Sequence, residues 1–66
     1  MINEKIKQLR KEKGLTQTQF GLLFTPKISK QQVNNIESGR ANLSIDSIER
    51  IAKVLGVKNL FLIDEK

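Results

Sequence analysis

Sixty-six residues, with 12 Lys or Arg against 7 Asp or Glu, carry a net charge of +5 and include no Cys and no His. A chain of this length makes one domain, residues 1–66, and buries only about 60% of the surface its unfolded form exposes. The missing residue types exclude disulfide staples and ordinary zinc sites and remove most of the parts of nucleophilic catalysis, so no enzyme, no metal and no cofactor are expected.

The first helix is expected over residues 3–13, with Ile2, Ile6 and Leu9 at the i, i+4, i+7 spacing of a buried stripe and Gly14 after its last turn. Its other faces carry Lys5, Lys7, Arg10, Lys11 and Lys13. Such a set serves as a solvated face or supplies phosphate contacts. The first use is favoured, because charge spread around a helix cannot all meet one backbone.

A pattern then occurs three times: Leu15-Thr16 with Phe20, Ile28-Ser29 with Val33, and Leu43-Ser44 with Ile48. Each places an apolar residue before a hydroxyl N-cap and a second one five positions on, which is a hydrophobic staple. Gln19 and Gln32 complete capping boxes at the first two starts. The second helix is expected over 17–24, ending because Pro26 pushes Thr25 out of the helical region. Phe20, Leu23 and Phe24 are expected to face the core, and Leu22, about 200° around from Phe20, to point outward. Gly21 costs about 1 kcal/mol relative to Ala, so close approach of the third helix is its expected reason.

The third helix, 30–38, is SKQQVNNIESG with its cap and its Gly39 stop. Val33 and Ile36 share one face, while Lys30, Gln31, Gln32, Asn34 and Asn35 put ammonium or amide groups outward. A short helix whose exposed side is nearly all amide suits the major groove of DNA, where Gln and Asn can bond adenine and Lys the guanine acceptors. Charge supports this: residues 1–40 hold eight Lys or Arg against three acids, and residues 41–66 hold four against four. The fourth helix, 45–55, repeats Ile45, Ile48, Ile51, Ala52 and Leu55 at threes and fours and stops at Gly56. Its polar side, with Asp46, Glu49, Arg50 and Lys53, carries no functional expectation.

The tail, 57–66, contains Leu60, Phe61, Leu62 and Ile63 in succession. One face of a short turn or strand cannot bury four consecutive apolar residues; two of them close the core, and the surplus is expected to meet an identical chain. The fold class is therefore all-α: a compact bundle of four helices plus a short C-terminal turn or strand. No apolar run approaches the roughly 20 residues of a membrane span, so no membrane partner and a cytoplasmic location are expected. With no ligand-binding domain, no small-molecule ligand is expected either.

The segments LRKEKGLTQ (Leu9 to Gln17), VNNIESG (Val33 to Gly39) and IERIAKVLGV (Ile48 to Val57), in this order and spacing, resemble the helix-turn-helix domain of the lambda repressor and Cro family of bacterial and phage regulators. The stretch RANLSIDS also resembles the controller proteins of restriction-modification systems within that family. The resemblance implies that helices two and three form the helix-turn-helix, the third lying in the major groove. By position it implies base contacts from Lys30, Gln31, Gln32 and Asn35, and phosphate contacts from Gln17 and Arg40; the caps Thr16 and Ser29 and, through the longer turn, Lys27 are further phosphate candidates. Arg10 and Glu37 match a structural ion pair, and Asn34 is set aside as solvated. The chain departs from the pattern by two extra residues within 22–28, which stretch the turn into Thr25-Pro26-Lys27-Ile28-Ser29 and leave Lys30 at either a base or the backbone. The expected function is a transcriptional regulator binding double-stranded DNA as a homodimer on a palindromic operator. The competing class is a protein-interaction module of the same fold, an antitoxin or adaptor, using Leu22 and the tail.

Overall fold

Hydroxyl caps set where three of the four helices begin. The computed structural model describes residues 2–58 and contains α1 (Ile2–Glu12), α2 (Gln17–Leu22), α3 (Lys30–Ser38) and α4 (Ile45–Leu55). Thr16, Ser29 and Ser44 each hold an extended backbone and accept the N–H of the residue three on, Gln19, Gln32 and Ser47, at 3.1 Å. Gln19 and Gln32 return the contact, their Oε1 atoms accepting the cap N–H at 2.9 and 2.8 Å. At the other end of α3, Gly39 takes φ +84°, and the Arg40 and Ala41 N–H groups both reach the Asn35 carbonyl at 3.0 and 3.1 Å. A side chain at Gly39 would be strained in that left-handed conformation.

The core lies where the apolar stripes of the helices meet. Ile6 of α1, Phe20 of α2, Val33 of α3 and Ile51 and Leu55 of α4 are fully buried, with Phe24, Ile48 and Ala52 beside them. Phe20 and Phe24 meet edge to face, ring centroids 5.1 Å apart. Ile2, Leu9, Leu15, Ile28, Ile36, Leu43, Val54 and Val57 pack around this centre, half-buried. The staples thus place their residues in the core or at its margin.

Three expectations are corrected. α2 stops at Leu22 rather than Phe24. An α-helix continued beyond this point would bond the Thr25 N–H to the Gly21 carbonyl. That carbonyl is taken instead by Phe24 N–H at 3.3 Å and by Ile28 N–H at 3.1 Å, which closes the longer turn early. Leu23 therefore falls on the cap, 52% exposed, and only Phe20 and Phe24 reach the core. Ile45, counted in the α4 stripe, is 61% exposed: it is the first residue of the helix, and the stripe enters the core only from Ile48 onward. Leu22 points outward, 53% exposed.

Gly21 has a sharper reason than a neighbouring helix. A Cβ there would overlap the Ile28 carbonyl oxygen and lie 3.2 Å from its carbon, with Val33 Cγ2 at 3.4 Å. Residue 28 thus bonds to α2 through its N–H and lays its carbonyl against Gly21. The two extra residues are spent on a turn that bulges outward through Thr25, Pro26 and Lys27, all exposed, before the chain returns to α2 at Ile28. No helix among the described residues is long and apolar enough to cross a membrane. The tail from residue 59 onward, including Leu60, Phe61, Leu62 and Ile63, lies outside the described residues.

Candidate nucleic-acid interface

The inner side of α3 is fixed at one residue. Glu37, 7% exposed, accepts from Arg10 Nε at 2.6 Å and from Arg10 Nη2 at 3.1 Å, a bidentate pair between α1 and α3. Arg10 is equally buried and spends its remaining branch on the Leu15 carbonyl, Nη1 to O 2.6 Å. Gln17, at the first turn of α2, donates its amide to Glu37 Oε1 at 3.2 Å. Asn3 donates to the Glu37 backbone carbonyl at 3.3 Å, covering an acceptor at the end of α3. Every buried side-chain polar atom among the described residues has a partner. Truncating one member of a buried pair leaves the other charged and unmatched, which costs about 3–5 kcal/mol.

The outer side presents the four residues singled out in the sequence. Lys30, Gln31 and Gln32 are exposed and Asn35 is half-buried. They are not four independent groups: Gln31 donates to Asn35 Oδ1 at 3.2 Å, and the Gln32 oxygen is committed to the Ser29 N–H. The i, i+4 spacing of Gln31 and Asn35 was a readable signal for the first link. Gln32 and Asn35 also form one wall of an open groove of about 250 Å³, with Phe24, Ile28, Leu43 and Arg50 on its other sides. Arg50, set aside in the sequence reading, is therefore brought beside α3.

Cations frame both ends of this face. Lys27 lies exposed in the turn before α3 and Arg40 exposed just after it. Thr16 and Ser29 are exposed caps whose oxygens accept from the helix, leaving each O–H hydrogen free to donate. Gln17 is half-buried and keeps one amide hydrogen beyond the one given to Glu37. Chemically, the surface is a row of amide donors and acceptors between positive ends, with no acid on the exposed side of α3. The contacts of Gln17 and Asn3 with Glu37 carried no local sequence signal, since the partners lie 20 and 34 residues apart.

The general description of helix-turn-helix domains matches residues 6–59, most of the chain. The chain belongs to the helix-turn-helix family. Within that family, control protein C.BamHI of Bacillus amyloliquefaciens is 34% identical over 64 residues, covering 97% of this chain and 78% of that protein. Among solved structures, SinR, a master regulator of biofilm formation captured in complex with DNA, superposes with a TM-score of 0.83 at 34% identity, over 97% of this chain and 100% of that one. The restriction-modification controller protein C.AhdI from Aeromonas hydrophila superposes with a TM-score of 0.81 at 26% identity, covering 92% and 86%. In this helix-turn-helix chain, α2 and α3 are the two named helices, and the buried Glu37 junction sets how they sit on α1.

Proposed function

We propose that this chain is a transcriptional regulator that binds double-stranded DNA sequence-specifically, as a homodimer on a palindromic operator. The observation that carries the reading is the two-sided construction of α3: Val33 and Glu37 lock one side into the protein, and Lys30, Gln31, Gln32 and Asn35 occupy the other. In this reading α3 lies in the major groove with those four at base edges, and Thr16, Gln17, Lys27, Ser29 and Arg40 meet phosphates. The SinR complex with DNA and the two controller proteins support it by likeness. Dimerisation follows from the apolar run Leu60, Phe61, Leu62 and Ile63, more than one small core takes up. Two copies then place their α3 helices about 34–36 Å apart, one helical turn of DNA. Regulation is by occupancy: a bound dimer blocks or recruits polymerase.

Selection of bound sequences from a random DNA pool by the full chain tests this directly. A palindrome with half-sites one turn apart is expected; recovery of sequences without any preference would sink it. Phe61→Lys should give monomers in sedimentation, and unchanged dimers would move the interface away from the tail.

A second reading has one observation of its own. Leu22 and Leu23 stand 53% and 52% exposed side by side at the end of α2, an apolar step suited to a protein partner. An interaction module, antitoxin or adaptor, would use it. Loss of biological activity in Leu22→Glu with DNA affinity unchanged would favour that reading.

A further inference from the structure

Resting on the placement of α3 in the major groove proposed above, we infer that Gln32 is a donor-only reader that selects guanine and rejects adenine, because the same side chain caps its own helix. The Ser29 backbone N–H donates to Gln32 Oε1 at 2.8 Å. Only the oxygen of a carboxamide can accept that bond, so the orientation of the amide follows from its partner. The oxygen is thereby held at the start of α3, and the nitrogen on the other branch keeps both hydrogens.

Adenine presents an acceptor, N7, beside a donor, the N6 amino group, and a glutamine reads it by laying its nitrogen and oxygen side by side on that edge. For Gln32 this would draw the oxygen from Ser29 and leave an orphan N–H at the first turn of the helix. Guanine presents two adjacent acceptors, N7 and O6, which a single amino group can bridge with its two hydrogens. The capping bond stays intact in that arrangement. Gln31 has no such tie to the backbone, since its link is to the Asn35 side chain. It keeps its oxygen and one N–H, the pair that adenine needs. The two neighbouring glutamines, alike in sequence, thus differ in what they offer.

The test is Gln32→Glu, which retains an oxygen for the Ser29 N–H but has no donor. Gln32→Ala, which lacks both, is the control for the cap. Sequences bound by the full-length wild type and by each variant are selected from one random pool, and thermal unfolding is followed alongside. The wild type is expected to hold guanine at one position per half-site. Gln32→Glu should lose that preference by on the order of tenfold or more and reverse the pair to cytosine, whose amino group a carboxylate accepts, leaving the other positions unchanged. Its unfolding midpoint should match or exceed wild type, and that of Gln32→Ala should fall. Loss of an adenine preference in Gln32→Glu, or a site unchanged at every position, would overturn the inference while leaving groove binding in place. A wild type with no preference at any position would overturn the parent reading, and this one with it.

Discussion

Replacing Gly21 by Ala sets two effects of known size and opposite sign against each other. In an exposed helix the change stabilises by about 1 kcal/mol, since Ala is the better helix former. At Gly21 the added methyl would occupy the space of the Ile28 carbonyl oxygen and crowd its carbon at 3.2 Å, while meeting Val33 Cγ2 at 3.4 Å in ordinary contact. The obstacle is backbone, which cannot rotate away, so the turn must lift from α2. The same movement stretches the 3.1 Å bond from Ile28 N–H to the Gly21 carbonyl, a contact contributing about 1 kcal/mol. Overpacking of this kind costs about 1–3 kcal/mol, which outweighs the propensity gain once the strained hydrogen bond is added. The expected result is a net loss of about 1–3 kcal/mol, a fall in melting temperature of about 4–8 °C for each kcal/mol in a domain this small. DNA affinity should fall further than stability alone accounts for, because α3 begins two residues after Ile28. Circular dichroism melts and binding titrations of the same preparation check both. A melting temperature that rises by several degrees would refute the close approach and the argument built on it.

Other expectations follow from the buried pair, the cap and the positive ends. Glu37→Gln should destabilise by about 3–5 kcal/mol in urea unfolding, whereas the apolar double replacement Arg10→Met with Glu37→Leu should recover most of the loss. Ser29→Ala should cost about 1 kcal/mol, and Ser29→Asp, which can still accept the Gln32 N–H, should restore it. Arg40→Ala should weaken DNA binding evenly across sequences and lower the salt slope by about 0.9 log units per log salt, as expected for one lost phosphate contact.

The helix starts were legible because a hydroxyl cap, its Gln partner and the flanking staple are local, all within six residues of sequence. The inward faces of α2 and α3 were legible from spacing for the same reason. The end of α2 was not: Pro26 marks where a helix cannot continue, but the early stop depends on Ile28 returning to Gly21, a contact across the turn. Leu23 and Ile45 show the limit of periodicity, which gives the direction of a side chain but not whether another element reaches it. At the interface, sequence spacing turned Lys30, Gln31, Gln32, Asn34 and Asn35 outward, and the family resemblance narrowed them to the four without Asn34. Spacing did not reveal that Gln32 serves two roles, although the capping box and the amide face were both visible in the same seven letters, Ser29 to Asn35. Glu37 shows how a resemblance can outrun composition: nothing local distinguishes it from any acid near a helix end, and its weight comes from Arg10 and Gln17, distant in the chain.

The separation of duties on α3 has a consequence for how readily the protein can be retargeted. Bracing falls to Val33 and Glu37, and the outward positions 30 and 31 are exposed, whereas Asn35 is half-buried beside Phe24 and Ile28. Positions 30 and 31 can be exchanged without disturbing the scaffold, so a new operator preference is reachable by substitutions that are neutral for folding. Position 32 is the exception. Its side chain begins the helix as well as facing outward, so its permissible alphabet is confined to residues that can still accept the Ser29 N–H. A lineage of such regulators, or a designer, would therefore find two free positions on the outer side of α3 and, at 32, one constrained position.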